Sequence, residues 1–332
     1  MNLPYRIDLL SRLGEYISGN ESGWQQAKEK AALENGWFIP EFVELATQHI
    51  SRSFLQKDIL EEWVARYTGA EKEKTTKNVG IIMAGNLPLV GFHDWMAVFI
   101  SGHRAIIRPS SRDQVLIKHL VEKIGEWDST AGTMTRFAEM LKGCDAYFAT
   151  GSNNSSRYFD FYFGKYPHII RRNKTSVALL TGNETPGELE LLADDVYLYF
   201  GLGCRNVTKI YVPEGYDFIT LLEAFRKYNY LADHHKYKNN YDYNLALHLL
   251  NKKYYMTNGS LLLVEEAAIF SPISQLNYAF YSDPLQLELS LKTETDLQCI
   301  VGRGYTPFGR AQSPGIADYA DGVDTMSFLS NL

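Results

Sequence analysis

The sequence predicts an α/β protein: a doubly wound parallel sheet built from strand–turn–helix units, with helices before it. Three observations lead there. Short, wholly apolar runs recur, beginning with Val79-Gly-Ile-Ile-Met-Ala, as expected for parallel strands buried on both faces. Several of these runs end in Gly- or Asn-bearing turns that open a helical pattern. The first 70 or so residues instead show helical spacing throughout, with Trp37, Phe42, Val43 and Ala46, then Phe54, Ile59, Trp63 and Tyr67 in register.

In order, the helical start gives way to a charged connection from Glu71 to Lys77. The first strand, from Val79, ends in Gly85-Asn86-Leu87-Pro88, and a helical stretch runs to Ile100. The turn Gly102-His103-Arg104 precedes the strand Ala105-Ile-Ile-Arg-Pro, and a helix follows from about Asp113 to Glu126. Asp145-Ala-Tyr-Phe-Ala-Thr is a strand, and Gly151-Ser-Asn-Asn-Ser-Ser opens a helix. His168-Ile-Ile-Arg-Arg and Ser176-Val-Ala-Leu-Leu are further strands, and Glu188 to Phe200 reads as an amphipathic helix leading to Gly201-Leu-Gly-Cys-Arg-Asn. The strand Lys209-Ile-Tyr-Val-Pro, helices near 217–230 and 240–250, and the strand Ser260-Leu-Leu-Leu-Val complete the pattern. In such a sheet a ligand belongs where strand ends meet Gly-rich turns.

Composition narrows the function. With 332 residues, 45% apolar and 22% charged, the chain can bury a sizeable core. Lys plus Arg number 33 against 39 for Asp plus Glu, a net charge of -6 that argues against a nucleic-acid-gripping protein. The longest apolar stretch, Val79 to Gly102, is broken by Asn86, His93 and Asp94 and makes a poor membrane span. Cys144, Cys204 and Cys299 are too few and too scattered for a disulfide framework or a structural zinc site, so no metal is expected. No signal peptide is evident, and a cytoplasmic protein with reduced thiols is the default.

Each candidate residue carries a functional and a plain reading. Cys204, flanked by Gly201, Gly203 and Arg205, suits a thiolate nucleophile, or a small buried hydrophobe. Asn86, between a strand and a helix, can donate to an oxyanion or cap the helix. Gly151-Ser152 at a helix start suits a phosphate, although it is no GxGxxG. Arg108-Pro109-Ser110-Ser111-Arg112 offers cations and hydroxyls at a strand end, or a solvated turn. His234 and His235 read as surface residues, and Glu265-Glu266 as an exposed strand end.

Their order is more specific than any one of them. Gly-Asn-x-Pro after the first strand, then Ser-Gly-His-x-Ala-Ile-Ile-Arg-Pro-Ser, Ala-Thr-Gly-Ser, Thr-Gly-Asn-Glu and Gly-Leu-Gly-Cys-Arg-Asn-Val (201–207) resemble the aldehyde dehydrogenase superfamily. With Phe308-Gly-Arg-Ala-Gln-Ser-Pro and Asp318-Tyr-Ala-Asp-Gly-Val-Asp-Thr-Met, the resemblance narrows to the LuxC-type acyl-CoA reductases, and it runs from about residue 30 to the end. It implies an aldehyde-dehydrogenase-like fold. The expected parts are 1–178, N-terminal helices and an NADP(H)-binding Rossmann-type domain; 179–305, an α/β catalytic domain with the nucleophile; and 306–332, a segment packing back on the first domain or on a partner subunit. The site is expected between the two lobes.

The resemblance also assigns roles. Cys204 matches the nucleophile, and Asn86 the asparagine that forms the oxyanion hole with the cysteine's own N–H. Arg108 stands where a lysine lies near the adenosine ribose, followed by Ser110 and Ser111, and Gly151 and Ser152 match the turn facing the pyrophosphate. Two departures from the superfamily matter. The stretch Leu179-Leu-Thr-Gly-Asn183 lacks the glutamate that activates water in hydrolytic members, and Glu184 is out of step, so a thioester would persist. Ser111 replaces the acid of NAD-preferring members and tolerates a 2′-phosphate beside Arg108 and Arg112. A third stretch, Ala268-Ile-Phe-Ser-Pro, lacks the ribose-binding glutamate. The expectation is an NADPH-dependent acyl-CoA reductase, with NADH as the alternative cofactor. Reduction of an acyl phosphate or carrier-protein thioester, or a non-catalytic nucleotide-binding subunit, are the alternative functions. An acyl-CoA is the expected substrate, and a second copy or an acyl-transfer enzyme the protein partner.

Overall fold

The computed structural model describes residues 1–67, 75–151 and 153–332. Ser152 and the Glu71–Lys74 part of the charged connection therefore lie outside the described residues. The chain divides into two compact units, Met1–Asn173 with Pro314–Leu332, and Lys174–Ser313.

The first unit opens with four helices, α1 (Leu3–Ser18), α2 (Ser22–Glu34), α3 (Pro40–Ser53) and α4 (Lys57–Ala65). Asn2 caps α1, its side chain accepting the Tyr5 N–H at 3.0 Å, and a proline in the first turn needs no partner for its missing N–H. The apolar faces of these helices join one core, in which Leu10, Leu13, Trp24, Phe38 and Trp63 are fully buried. β1 (Asn78–Ile82), α5 (Phe92–Ser101), β2 (Arg104–Arg108), α6 (Val115–Trp127), α7 (Ser129–Gly132), β3 (Thr135–Phe137), β4 (Ala146–Thr150), α8 (Asn153–Phe163) and β5 (His168–Arg171) follow. The five strands are all parallel, in the order β3-β2-β1-β4-β5. The short β3 was not legible in the sequence; it is only partly buried and lacks an apolar run.

The second unit contains β6 (Thr175–Leu179), α9 (Pro186–Tyr197), β7 (Val207–Pro213), α10 (Phe218–Ala224), α11 (His235–Leu250), β8 (Met256–Thr257), β9 (Leu262–Glu265), β10 (Gln275–Tyr281), α12 (Pro284–Thr293) and β11 (Leu297–Gly302). Its sheet runs β11-β6-β7-β10-β9-β8, parallel except for β8, which pairs antiparallel with β9. α9 starts at a capping box, with Thr185 and Glu188 each bonding the other's backbone N–H. The helix expected near 217–230 is α10 followed by a 3-10 stretch over Phe225–Asp233. The final helix α13 (Thr325–Ser330) belongs to the first unit, where Met326 and Leu329 enter its core.

Among the described residues no helix is long and apolar enough to cross a membrane, and no cluster of His, Cys, Asp and Glu could hold a metal ion.

Candidate active site

In the first unit the strand order reverses between β1 and β4, so their carboxyl ends open a crevice. The loop after β1 carries Asn86, half-buried, and the turn after β2 carries Arg108, Ser110 and Ser111. The two are laced together. The Met83 N–H donates to the Arg108 carbonyl at 3.1 Å. A Cβ on Gly85 would sit 2.4 Å from Ser110 Oγ, so only glycine permits this approach. Ser110 Oγ accepts the Arg112 N–H at 3.2 Å, while Arg108, Ser111 and Arg112 are exposed.

Asp113 closes this turn and is buried rather than helical, since α6 begins at Val115. Its Oδ2 accepts the Leu89 N–H at 2.7 Å, and burial pushes its carboxyl up to about 7. Gly151, at the end of β4, is equally confined. A Cβ there would come within 2.9 Å of Phe159 and 3.0 Å of Ser155, so the first turn of α8 lies directly against the strand end. A glycine at that strand end lets a ligand come close to the backbone, as a nucleotide phosphate would need. A surface groove of about 470 Å³ between α2 and α6, with Lys30, Glu34, Lys118 and His119 on its walls, is lined by none of these residues.

In the second unit Cys204 follows a left-handed run in which Tyr199, Phe200 and Gly201 have φ of 56°, 57° and 74°. Bulky residues hold such a conformation only when their surroundings over-determine it, and such strain gathers at functional sites. Here Tyr199 and Phe200 are buried, and Asn206 staples the loop from within. Asn206 is wholly buried; its Oδ1 accepts the Gly203 N–H at 2.8 Å, and its Nδ2 donates to the carbonyls of Asp195, Val196 and Leu198. The Asn206 N–H returns to the Gly203 carbonyl at 3.1 Å, closing a tight turn around Cys204. From β6, buried Ser176 donates its hydroxyl to the Cys204 carbonyl at 3.1 Å. Its proton being so used, the Cys299 thiol donates to Ser176 Oγ at 3.1 Å.

Below the loop, Asp195 is fully buried in α9 and accepts the Gly309 and Ala311 N–H groups at 2.7 and 2.9 Å. Burial drives its carboxyl to about 7 despite those two donors. Burial also raises the thiols of Cys144 and Cys299, which disfavours their reactive thiolates. Glu184 is engaged elsewhere, accepting the Thr181 N–H and hydroxyl at 2.7 and 2.8 Å and the Gly182 N–H at 3.0 Å.

A family model described as LuxC acyl-CoA reductase matches residues 43–216, just over half of the sequence. The chain belongs to this family. Similar solved structures include aldehyde dehydrogenase 21 from Physcomitrella patens with its reaction product succinate, 13% identical with a TM-score of 0.68, covering 91% of this chain and 74% of that one. Another is a mutant aldehyde dehydrogenase C from Pseudomonas syringae with NAD+ and octanal, 11% identical, TM-score 0.65, covering 91% and 72%. A Mycobacterium tuberculosis aldehyde dehydrogenase with NAD+ is 13% identical, TM-score 0.65, covering 91% and 73%. At these identities the fold is what is shared. No curated protein matches the sequence. Family and fold together make the chain an oxidoreductase of the acyl-CoA reductase type.

The supporting residues of this LuxC-family chain are not legible in its sequence. Asn206 stood in the quoted motif and Asp113 beside Arg112, but the residue types alone gave no signal for their backbone partners, 3 to 11 positions from Asn206 and 24 from Asp113. His234 is half-buried, packed on Phe200 with ring centroids 4.7 Å apart, and so departs from the surface reading that His235 keeps. Glu265 is exposed, and Glu266 pairs with Lys253.

Proposed function

We propose that the protein reduces a fatty acyl-CoA to an aldehyde and CoA with NADPH, through an acyl thioester on Cys204. The observation that carries this reading is the seat of Cys204, which follows a left-handed run and is held by Asn206 on one side and Ser176 on the other. A fixed nucleophile loop pre-orients both the thiol and the backbone N–H beside it. The Cys204 thiolate attacks the thioester carbonyl, forming the C–S bond. The Asn86 amide and the Cys204 N–H donate to the oxyanion, and the CoA thiolate leaves as the carbonyl reforms. A nicotinamide dinucleotide held at the Gly151 and Arg108–Arg112 turns would supply the hydride that the thioester carbon takes up. Cys204 then departs as thiolate when the thiohemiacetal gives up its proton, releasing the aldehyde.

Water is a poor competitor in this scheme. The stretch Leu179–Asn183 offers no acid in place of the hydrolytic base, and Glu184 spends its carboxylate on the Thr181–Gly182 turn. The nucleotide reading is supported by the confined Gly151 turn, by Ser110 against Gly85, and by the exposed Arg108, Ser111 and Arg112, which suit a 2′-phosphate. Residues 1–178 would then hold the nucleotide and 179–305 the nucleophile.

Intact mass after mixing with acyl-CoAs of graded length, then chasing with NADPH, tests the scheme. The expected result is an acyl adduct on the native chain, absent from Cys204→Ala, and cleared by NADPH with release of aldehyde. No adduct from any acyl-CoA would move the reading to another acyl donor or to a non-catalytic role. NADH clearing the adduct as fast as NADPH would overturn the cofactor choice alone.

A further inference from the structure

We infer that Asp113 is a positioning residue whose carboxylate holds the loop carrying Asn86 and locks it to the turn that carries Ser110 and Ser111. The inference rests on the reading of Asn86 as an oxyanion donor.

The geometry has three parts. Asp113 closes the turn after β2, its N–H donating to the Ser110 carbonyl at 3.1 Å. Its side chain crosses to the loop after β1, where Oδ2 accepts the Leu89 N–H at 2.7 Å. Leu89 has a φ of 57°, a left-handed conformation that a leucine keeps only when held. At the other end of the same loop Gly85 is pressed against Ser110. Both ends of the segment bearing Asn86 are therefore pinned to one turn, which is itself tied down by the Asn35 amide donating to the Arg112 carbonyl at 3.1 Å.

The carboxyl is also an uneconomical choice for a purely structural tie. Asp113 is buried, and its Oδ1 takes no hydrogen bond among the described residues. Two influences act on its ionisation, burial raising it and the Leu89 N–H lowering it, with no contribution from a charged side chain on β1, α5, β2 or α6. A serine or asparagine would satisfy one amide at less cost. An ionised acceptor holds an N–H more strongly than a neutral one, so while Asp113 stays buried its ionised form grips the Leu89 N–H harder than the neutral acid does, even though ionisation costs the fold as a whole. Because the grip acts on Asn86 and on Ser110 together, it ties the oxyanion donor to the nucleotide turn.

Asp113→Asn tests this, since it keeps the shape and one oxygen but cannot ionise. In the native protein, hydrogen exchange at the Leu89 amide, corrected for intrinsic rates, should lose protection between pH 8 and pH 6. In the variant it should not change. The native kcat for acyl reduction should show an acid limb near neutrality that the variant lacks. At pH 8 the variant's kcat should fall on the order of tenfold with the acyl-CoA KM unchanged. The same limb in both proteins, or a Leu89 amide equally protected at both pH values, overturns the inference. Should Asp113→Asn fail to fold, the native exchange profile decides by itself. Asn86→Ala separates the two readings: full kcat in that variant removes the oxyanion role, while the exchange result still reports whether Asp113 grips the loop.

Discussion

The loop after β1 in the first unit and the loop before β7 in the second solve one problem in two ways. Each holds a non-glycine residue in the left-handed region, Leu89 in one and Tyr199 and Phe200 in the other. Each lies over a buried aspartate whose carboxyl burial drives to about 7. Asp195 uses both oxygens, one on the Gly309 N–H and one on the Ala311 N–H, whereas Asp113 uses only Oδ2. The difference separates a staple from a grip. A carboxyl bonded through both oxygens is replaceable only at a loss, while one left half-used is a standing cost that function can explain.

The largest expected effect breaks the first unit rather than its loop. Arg171 pairs with Asp94 in the core and also donates to Thr325 Oγ1 at 3.2 Å, which ties α13 to the sheet. Arg171→Ala strands the Asp94 charge and should cost about 3–5 kcal/mol in denaturant unfolding, with Pro314–Leu332 released. Native stability in this variant would show that the C-terminal segment does not depend on the pair.

Asp113→Asn comes next, and its sign depends on pH. Because the folded carboxyl titrates near 7 and the unfolded one near 3.8, the folded state holds an extra proton between those values. Stability is therefore full below about pH 4, declines as pH rises toward 7, and is flat above. Removing the ionisation should leave the variant more stable than the native protein at pH 8, by about 2–4 kcal/mol relative to the difference at pH 4. Paired melts at the two pH values measure it, and no gain at pH 8 would mean that the carboxyl is not a cost.

Asp195→Asn should behave differently. At pH 5, where the native carboxyl is already protonated, an amide NH2 replaces an acceptor facing Gly309 or Ala311, and unfolding should be easier by about 1–3 kcal/mol. Equal behaviour of the two Asp→Asn variants at pH 5 would erase the distinction between staple and grip. Gly201→Ala is the smallest change. A Cβ there meets only the Val196 carbonyl oxygen at 3.5 Å, so the cost should be the left-handed backbone penalty of about 1 kcal/mol, read from the melting temperature.

Much of the fold could be read in advance where burial writes itself into local sequence. β1, β2 and β4 sit inside a parallel sheet, so their residues are apolar on both faces and stand out as short runs. β3, β8 and β11 lie at sheet edges and carry no such run, and β10 places polar Gln275 and Asn277 in its length because their amides serve backbone and neighbouring polar groups. α9 was legible from its amphipathic Leu-rich pattern, read as Glu188 to Phe200, but the capping box at Thr185 and Glu188 sets its start at Pro186 and the left-handed Tyr199 and Phe200 end it at Tyr197. Among the candidate residues, motif order singles out Cys204 and Asn86 in the sequence, and a strand end meeting a helix start singles out Gly151.

The sequence by itself determined the fold class, the family and the Gly-Leu-Gly-Cys-Arg-Asn setting of Cys204. Those properties rest on period, order and residue type, which are features of neighbours along the chain. Only the tertiary structure decided that Asn206 staples the Cys204 loop, that Ser176 reaches the Cys204 carbonyl, and that Asp113 and Asp195 are buried acids under the two loops. Their partners lie as far as 116 positions away. Burial, which moves their ionisation, is a property of the packed molecule and has no counterpart in the order of residues.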